Sequence, residues 1–268
     1  GQGICALIIL NILSRHDIKR LNEVDQIHLL AEATKLAYHQ RDLYISDPSF
    51  SKIPVEWLLS DKHTDQLNEM INLDTASNID SLKFPSHDDT TYLCCVDSNG
   101  NAISFINSRF SGFGSGIMAP KSGVILKKRG SSFLIDDTHV NRIEGGKQPM
   151  HTIIPGMLTQ NEKAVAPFGV MGGQYQSTGH SNFISNILDR GLDLQEAMDQ
   201  PRSFAIDGKL QVENNFSSTV CEKLQKKGHE LETVEKPLGG SQAVCLDHTS
   251  GVLIGASDPR KDGCAIGY

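Results

Sequence analysis

The alternation of apolar and polar positions divides the chain into a helical first third and a strand-rich remainder. Residues 4–15 are apolar on most faces, which predicts a buried helix. Asn22 or Asp25 can cap the next helix, in which Ile27, Leu29, Leu30, Ala33, Leu36 and Ala37 recur at helical spacing up to Arg41. Asp47-Pro48 and Pro54 interrupt that pattern, and residues 55–73 predict a more polar helical segment. Residues 74–89 are mostly polar and include Pro85, the composition of an exposed loop in which cleavage is tolerated.

Short strands then dominate, predicted at 91–97, 102–107, 123–127, 153–158 and 164–171. Ser98-Asn99-Gly100-Asn101 joins the first two as a hairpin, and Asn161-Glu162-Lys163 joins the last two. Gly172-Gly173 leads from a strand into a helical run over 174–190 with one apolar stripe of Ile184, Ile187 and Leu188. Shorter helices are predicted at 193–199, stopped by Pro201, and at 217–227, closed by Gly228. Strands at 209–213, 242–247 and 252–256 complete the chain. The order helices, strands, helices, strands predicts α+β layers rather than a doubly wound sheet.

Composition narrows the function classes. The 268 residues are 38% hydrophobic and 21% charged, within the range of a soluble globular protein of one large or two small domains. The net charge of −7, with only Lys127-Lys128-Arg129 as a basic cluster, argues against a nucleic-acid partner. No run of about 18 apolar residues predicts a membrane span. The apolar start lacks the preceding positive residues of a signal peptide, and no Met opens the chain, so residue 1 is not taken as the biological start. The six cysteines form no C-x-x-C pair or zinc-like spacing. They read as small buried hydrophobes, and free thiols suit a reducing compartment. Residues 112–116 (Gly-Phe-Gly-Ser-Gly) lack the strand-to-helix context of a phosphate loop.

Three features carry candidate chemistry. Asp88-Asp89-Thr90-Thr91 places two acids and two threonines before the first strand. Cleavage before Thr90 would leave a threonine whose amine activates its own hydroxyl, so no histidine partner is required. Threonine is also common in strands for packing reasons. Gly172-Gly173 offers two successive N–H groups ahead of a helix, a way to build an oxyanion hole, although a glycine pair also allows close strand–helix packing. His139, His151 and His180 lie at unrelated spacings, and no Gly-x-Ser-x-Gly elbow anchors a serine triad.

Thr90-Thr91-Tyr92, Val96-Asp97, Gly100-Asn101-Ala102, Phe113-Gly114-Ser115-Gly116-Ile117, the block from Pro149 to Pro155, Gly172-Gly173, and Gly255-Ala256-Ser257-Asp258-Pro259-Arg260 with Gly267-Tyr268 occur in order along the chain. In these blocks the chain resembles the γ-glutamyltransferase family of N-terminal-nucleophile hydrolases. The resemblance implies a four-layer α/β/β/α sandwich and self-cleavage before Thr90. Residues 1–89 would then be the C-terminal part of a large subunit, and 90–268 the small subunit. Members usually have a few hundred more residues upstream, so the chain is expected to lack part of the large subunit.

The resemblance implies Thr90 as nucleophile and Gly172 and Gly173 as oxyanion donors. Ser108 stands where the family has a threonine bonded to the nucleophile, and Thr91 is the nucleophile's neighbour on the substrate side. Phe110 stands where an asparagine would touch substrate, and Arg129 and Ser132 where glutamine and aspartate hold the glutamyl amino group. His151-Thr152 replaces a serine pair. Loss of the aspartate removes the counter-charge for an α-ammonium, whereas Arg129 offers a fork for a carboxylate. This version looks more like the acylase and oxamate-amidohydrolase branch.

The expected partner is a small-molecule amide or γ-glutamyl substrate, with no metal and no organic cofactor. The location is left open: the acylase-like branch favours the cytoplasm, and a signal upstream would place the protein in the periplasm or outside the cell. The rival expectation is an uncut, truncated, non-enzymatic relative.

Overall fold

Helix α1 (Gly3–Leu13) buries Cys5, Ala6, Ile8, Ile9, Ile12 and Leu13 and exposes Leu7. Each fully buried aliphatic side chain of this kind contributes about 1.5–3 kcal/mol relative to exposure. The computed structural model describes residues 1–79, 81–83 and 89–268. Of the polar loop expected over 74–89, residues 80 and 84–88 lie outside the described residues. Among the described residues no helix is long and apolar enough to cross a membrane.

Helix α2 (Glu23–Tyr44) starts where Asn22 accepts the Asp25 N–H, so Asn22 is the cap and Asp25 belongs to the first turn. The polar segment after it forms two short helices, α3 (Val55–Leu58) and α4 (Asp61–Glu69). Strands β1 (Asp89–Val96) and β2 (Ala102–Phe110) pair as the expected hairpin.

Strands β3 (Gly156–Gln160) and β4 (Lys163–Met171) form the second hairpin, turned by Asn161 and Glu162 at φ 51° and 62°. β3 begins later than residue 153, because Ile154 gives its N–H to Gln176 Oε1 and Pro155 has none to give. Helices α5 (Gln176–Leu188) and α6 (Leu194–Asp199) follow, the latter opened by a capping box at Asp193. Next come β5 (Ser203–Ile206), β6 (Lys209–Val212), α7 (Ser218–Lys226), β7 (Leu231–Thr233), β8 (Gly240–Asp247) and β9 (Val252–Ser257).

The strands form a sheet in the order β3-β4-β8-β9, a separate β1-β2 hairpin, and a small β5-β6-β7 sheet. Tyr92, Ile106 and Met171 cluster between the hairpin and the four-stranded sheet, and the Tyr92 ring covers Gly169, where any Cβ would collide with it. On the other side of that sheet, α5, α1 and α2 join its core through Phe168, Val170, Phe183, Ile9 and Leu36. The layers thus run helices, sheet, hairpin, three of the four layers expected. The outer face of the hairpin carries Leu93, Ile103 and Phe105, each 45–50% exposed.

Three expectations are corrected. Residues 123–127 are not a sheet strand: they fold back on 115–119 through Leu126 N–H to Ile117 O and a bridge between Met118 and Ile125, with Gly123 at φ 70°. Helix α5 is buried on most faces rather than along one stripe, because its polar side chains have internal partners. Ser177 Oγ donates to Gln2 O and Ser181 Oγ to Ala6 O. The cysteines are free but not uniformly buried, since Cys95 and Cys264 are exposed.

Candidate active site

Thr90 lies opposite Ser108 in the hairpin, with a register irregularity between Asp89 and Thr90. Such bulges re-aim a side chain at the end of a ladder. The Thr90 hydroxyl donates to Ser108 Oγ at 3.2 Å. Ser108 Oγ also accepts the Phe110 N–H at 3.0 Å. That second bond comes from a residue at φ 82°, a left-handed conformation that bulky side chains rarely adopt. Strand alternation sends Thr91 to the other face, where it is exposed.

Gly172 and Gly173 follow β4 at φ 123° and 59°. They open a single 3-10 turn over Gly173–Tyr175, closed by Tyr175 N–H to Gly172 O at 3.0 Å, and α5 begins only after it. Among the described residues neither Gly172 N–H nor Gly173 N–H donates to an acceptor outside the regular elements. A Cβ on Gly172 would stand 2.8 Å from Gly239 Cα, so only glycine allows the two backbones to meet. A cavity of about 560 Å³ opens here, walled in part by Thr90, Gly172, Gln174, Tyr175 and Gly239. Thr90 and Gly172 therefore share one space, with Gly173 buried behind it.

Arg129, Thr152, His151 and Phe110 form a second group. Arg129 is 3% exposed and donates from Nη1 to Thr152 Oγ1 at 3.0 Å. Its guanidinium carbon lies 4.6 Å from the centre of the Phe110 ring. Burial lowers the Arg129 pKa to about 10. Burial likewise lowers that of His151 to about 4, with nearby positive charges, Arg129 among them, adding to the effect. Arg129, His151 and Thr152 do not line the Thr90 cavity. Phe110 joins the two groups, its ring on Arg129 and its N–H on Ser108.

Sequence reasoning missed the groups that hold these pieces. Asn141 donates to Ser132 O at 2.6 Å and accepts the Met150 N–H at 3.1 Å, clipping the Arg129 turn to the segment carrying His151 and Thr152. The C-terminal block pins the other side. Asp258 accepts from Arg202 and from the Ser241 N–H, and Arg260 forks onto Glu213, which accepts the Leu238 N–H at 3.0 Å. Gly239, between these anchored residues, is the backbone that meets Gly172. No periodicity marks Asn141, whereas the Asp258-Pro259-Arg260 block does stand out in the sequence.

The family model for gamma-glutamyltranspeptidase matches residues 1–268. The chain belongs to that family. It is 35% identical over 278 residues to the glutathione hydrolase-like YwrD proenzyme of Bacillus subtilis (strain 168), with all of this chain and 52% of that protein covered. To the oxamate amidohydrolase proenzyme of Klebsiella pneumoniae it is 32% identical, again over 100% of this chain and 52% of the relative. Among solved structures, cephalosporin acylase from Bacillus halodurans superposes with a TM-score of 0.90 at 38% identity, covering 98% of this chain and 49% of that one. The chain thus spans about half the length of the curated relatives it matches. Its γ-glutamyltranspeptidase-family relatives include glutathione hydrolases, acylases and an oxamate amidohydrolase, and the fold is that of an N-terminal-nucleophile hydrolase.

Proposed function

We propose that the protein is an N-terminal-threonine amidohydrolase that cuts its own chain before Thr90 and then works through an acyl-enzyme. On this reading residues 1–89 end the large subunit and 90–268 form the small one. The observation that carries it is the Thr90 hydroxyl bonded to Ser108 at the edge of a cavity that the Gly172 turn also lines. Once freed, the Thr90 amine takes the hydroxyl proton as the oxygen attacks the amide carbonyl. The Gly172 and Gly173 N–H groups receive the oxyanion, a contribution of roughly 2.7–4 kcal/mol per donor. The same proton goes to the leaving amine, and water then releases the acid from the ester.

Arg129 directs the choice of acyl group. It is a buried cation that makes no ion pair among the described residues; its polar partner is Thr152, and its pKa is lowered by burial alone. A carboxylate on the acyl group would supply the missing counter-charge, and for it to reach the guanidinium the Phe110 ring that covers Arg129 must move aside. Ser132 donates to the Arg129 and Met150 carbonyls and offers no charge for an α-ammonium. The preferred substrates are therefore amides of dicarboxylic acids without an α-amino group, such as oxamate or glutaryl amides, rather than γ-glutamyl compounds.

Intact-mass measurement of the natural full-length protein tests the first step: two pieces are expected, with the smaller beginning at Thr90. A single chain whose amidase activity survives Thr90→Ala refutes the mechanism. Rates on oxamate, a glutaryl amide and a γ-glutamyl amide test the second, and fastest turnover of the γ-glutamyl amide reverses the acyl-group assignment.

A further inference from the structure

Helix α2 turns one face to the segment after α4 and another to the Gly172-Gly173 turn, and the two meet at Arg41 and Asp42. On one face His28 Nε2 lies 2.9 Å from Asn72 O, Glu32 accepts the Ser77 N–H at 3.1 Å, and Lys35 donates to Ser77 O at 2.8 Å. Asp42 continues this row and accepts the Leu82 N–H at 2.6 Å. Positions 28, 35 and 42 are seven apart and so lie along one stripe of the helix. The described strap residues, 72–79 and 81–82, are tied to that stripe at Asn72, Ser77 and Leu82, and Leu82 stands eight residues before Thr90.

Arg41 points to the other side. It is 2% exposed and donates from Nη1 to Gln174 Oε1 at 2.7 Å and to Gln2 Oε1 at 3.1 Å. Its guanidinium lies over the Tyr38 ring, and the Tyr38 hydroxyl in turn donates to Gln174 O, which also accepts from Gln2 at 3.0 Å. Gln174 is the residue after Gly172-Gly173, so its side chain and its carbonyl are both tied to α2. The link is closed by Arg41 Nε donating to Asp42 Oδ1 at 2.8 Å. A continuous row of bonds thus runs from the Leu82 amide through Asp42, Arg41 and Gln174 to the turn carrying the oxyanion donors.

We propose that Arg41 and Asp42 are positioning residues for self-cleavage: the pair holds the strap that precedes the cleavage point and the Gly172-Gly173 turn in one frame. This rests on the reading of Thr90 as a self-cleaving nucleophile. The planar fork of arginine suits the task, because directed bonds to Gln174, Gln2 and Asp42 and a ring contact fix its orientation. The carboxylate of Asp42 has one oxygen for Arg41 and one for the strap. The connection is physical, and its strength is what the experiment measures.

The test uses the natural full-length protein in wild-type, Arg41→Gln and Asp42→Ala forms, with Leu36→Ala as a core truncation on the same helix. Chain splitting is timed by intact mass, each variant being held equally far below its own Tm. Arg41→Gln and Asp42→Ala are expected to slow splitting at least tenfold, and Leu36→Ala less than threefold. Equal slowing in all three, or none in the first two, overturns the proposal.

Hydrogen exchange supplies an arm that needs no activity, with each variant read at the far end of the row. Arg41→Gln is expected to speed exchange at Leu82 at least tenfold. Asp42→Ala is expected to do the same at Tyr175, whose N–H closes the turn. Far-end protection at wild-type levels overturns the proposal. If the wild-type protein does not split, the self-cleavage reading falls by itself, and the exchange arm still decides whether the pair couples strap and turn.

Discussion

Gly172→Ala separates the chemistry of the turn from its conformation. At φ 123° Gly172 lies beyond the left-handed well that other residues occasionally enter, and a side chain there costs about 1–3 kcal/mol. The new Cβ would also stand 2.8 Å from Gly239 Cα, and that neighbour is backbone held between Leu238 and Ser241, so it cannot swing aside. The turn itself must move. Losing a well-placed oxyanion donor lowers turnover by about 10²–10³. A displaced donor retains part of that, so a fall of about 10² is expected in both kcat and the rate of chain splitting.

Gly191→Ala is the control. Gly191 has φ 74° but no atom within 4 Å of an added Cβ, so it carries the strain of about 1–2 kcal/mol without the collision. Both variants of the full-length protein should lose Tm, and Gly172→Ala alone should lose rate. The assay is intact mass against time, together with amide turnover at a temperature where all forms are folded. Turnover of Gly172→Ala within threefold of wild type, or an equal loss in Gly191→Ala, refutes the assignment of the turn as the oxyanion hole.

Other perturbations probe the remaining parts. Ser108→Ala removes the acceptor of both Thr90 and Phe110 and should slow splitting about tenfold, a net hydrogen bond being worth about 0.5–1.5 kcal/mol, whereas Ser108→Thr should keep the rate. Arg129→Met should raise Tm, since it replaces a desolvated cation by an apolar side chain of similar length, while raising KM for dicarboxylic amides at least tenfold; a lower Tm with unchanged KM contradicts this. His180 is 2% exposed and burial holds its pKa at about 4, below the unfolded value of about 6.5. Its neutral form therefore contributes stability that is complete above about pH 6.5 and declines as pH falls toward 4, by about 2 kcal/mol between pH 7 and 5. His180→Gln should flatten that slope in urea unfolding at the two pH values, and an unchanged slope would show that other groups carry it.

The elements that could be read from the sequence are those whose stability is local. The Asn22 cap, the Asn161-Glu162 turn and the α1 pattern each need only near neighbours to work. The errors lie where distant parts of the chain decide. The run over 123–127 has strand composition, but no sheet edge is offered to it, and Val124 and Leu126 remain about half exposed. Helix α5 reads as half polar, yet Ser177 and Ser181 are buried because α1 and its N-cap residue bring carbonyls to them. β7 is three residues long, too short for a period to show, and β5, as short as β6, is buried almost throughout and lacks the alternation that β6 has.

The same division explains the site. Thr90 and the glycine pair stand out because the chemistry proposed for them demands particular residue types at the end of a strand and the start of a turn. What holds them does not stand out. Arg41 sits in a helical stretch where an arginine is ordinary, and only the fold sets it against Gln174, 133 positions away. Asn141 is one polar residue in a loop, and the carbonyl and amide it bridges belong to two separate segments. Phe110 looks like a strand terminus, yet its left-handed backbone turns its N–H to Ser108 while its ring covers Arg129. A proposed nucleophile and proposed oxyanion donors can be picked out from motifs because they would act through their own atoms. Residues that act by holding others are defined by their partners, and those partners come together only when the hairpin, the glycine turn and α2 have packed.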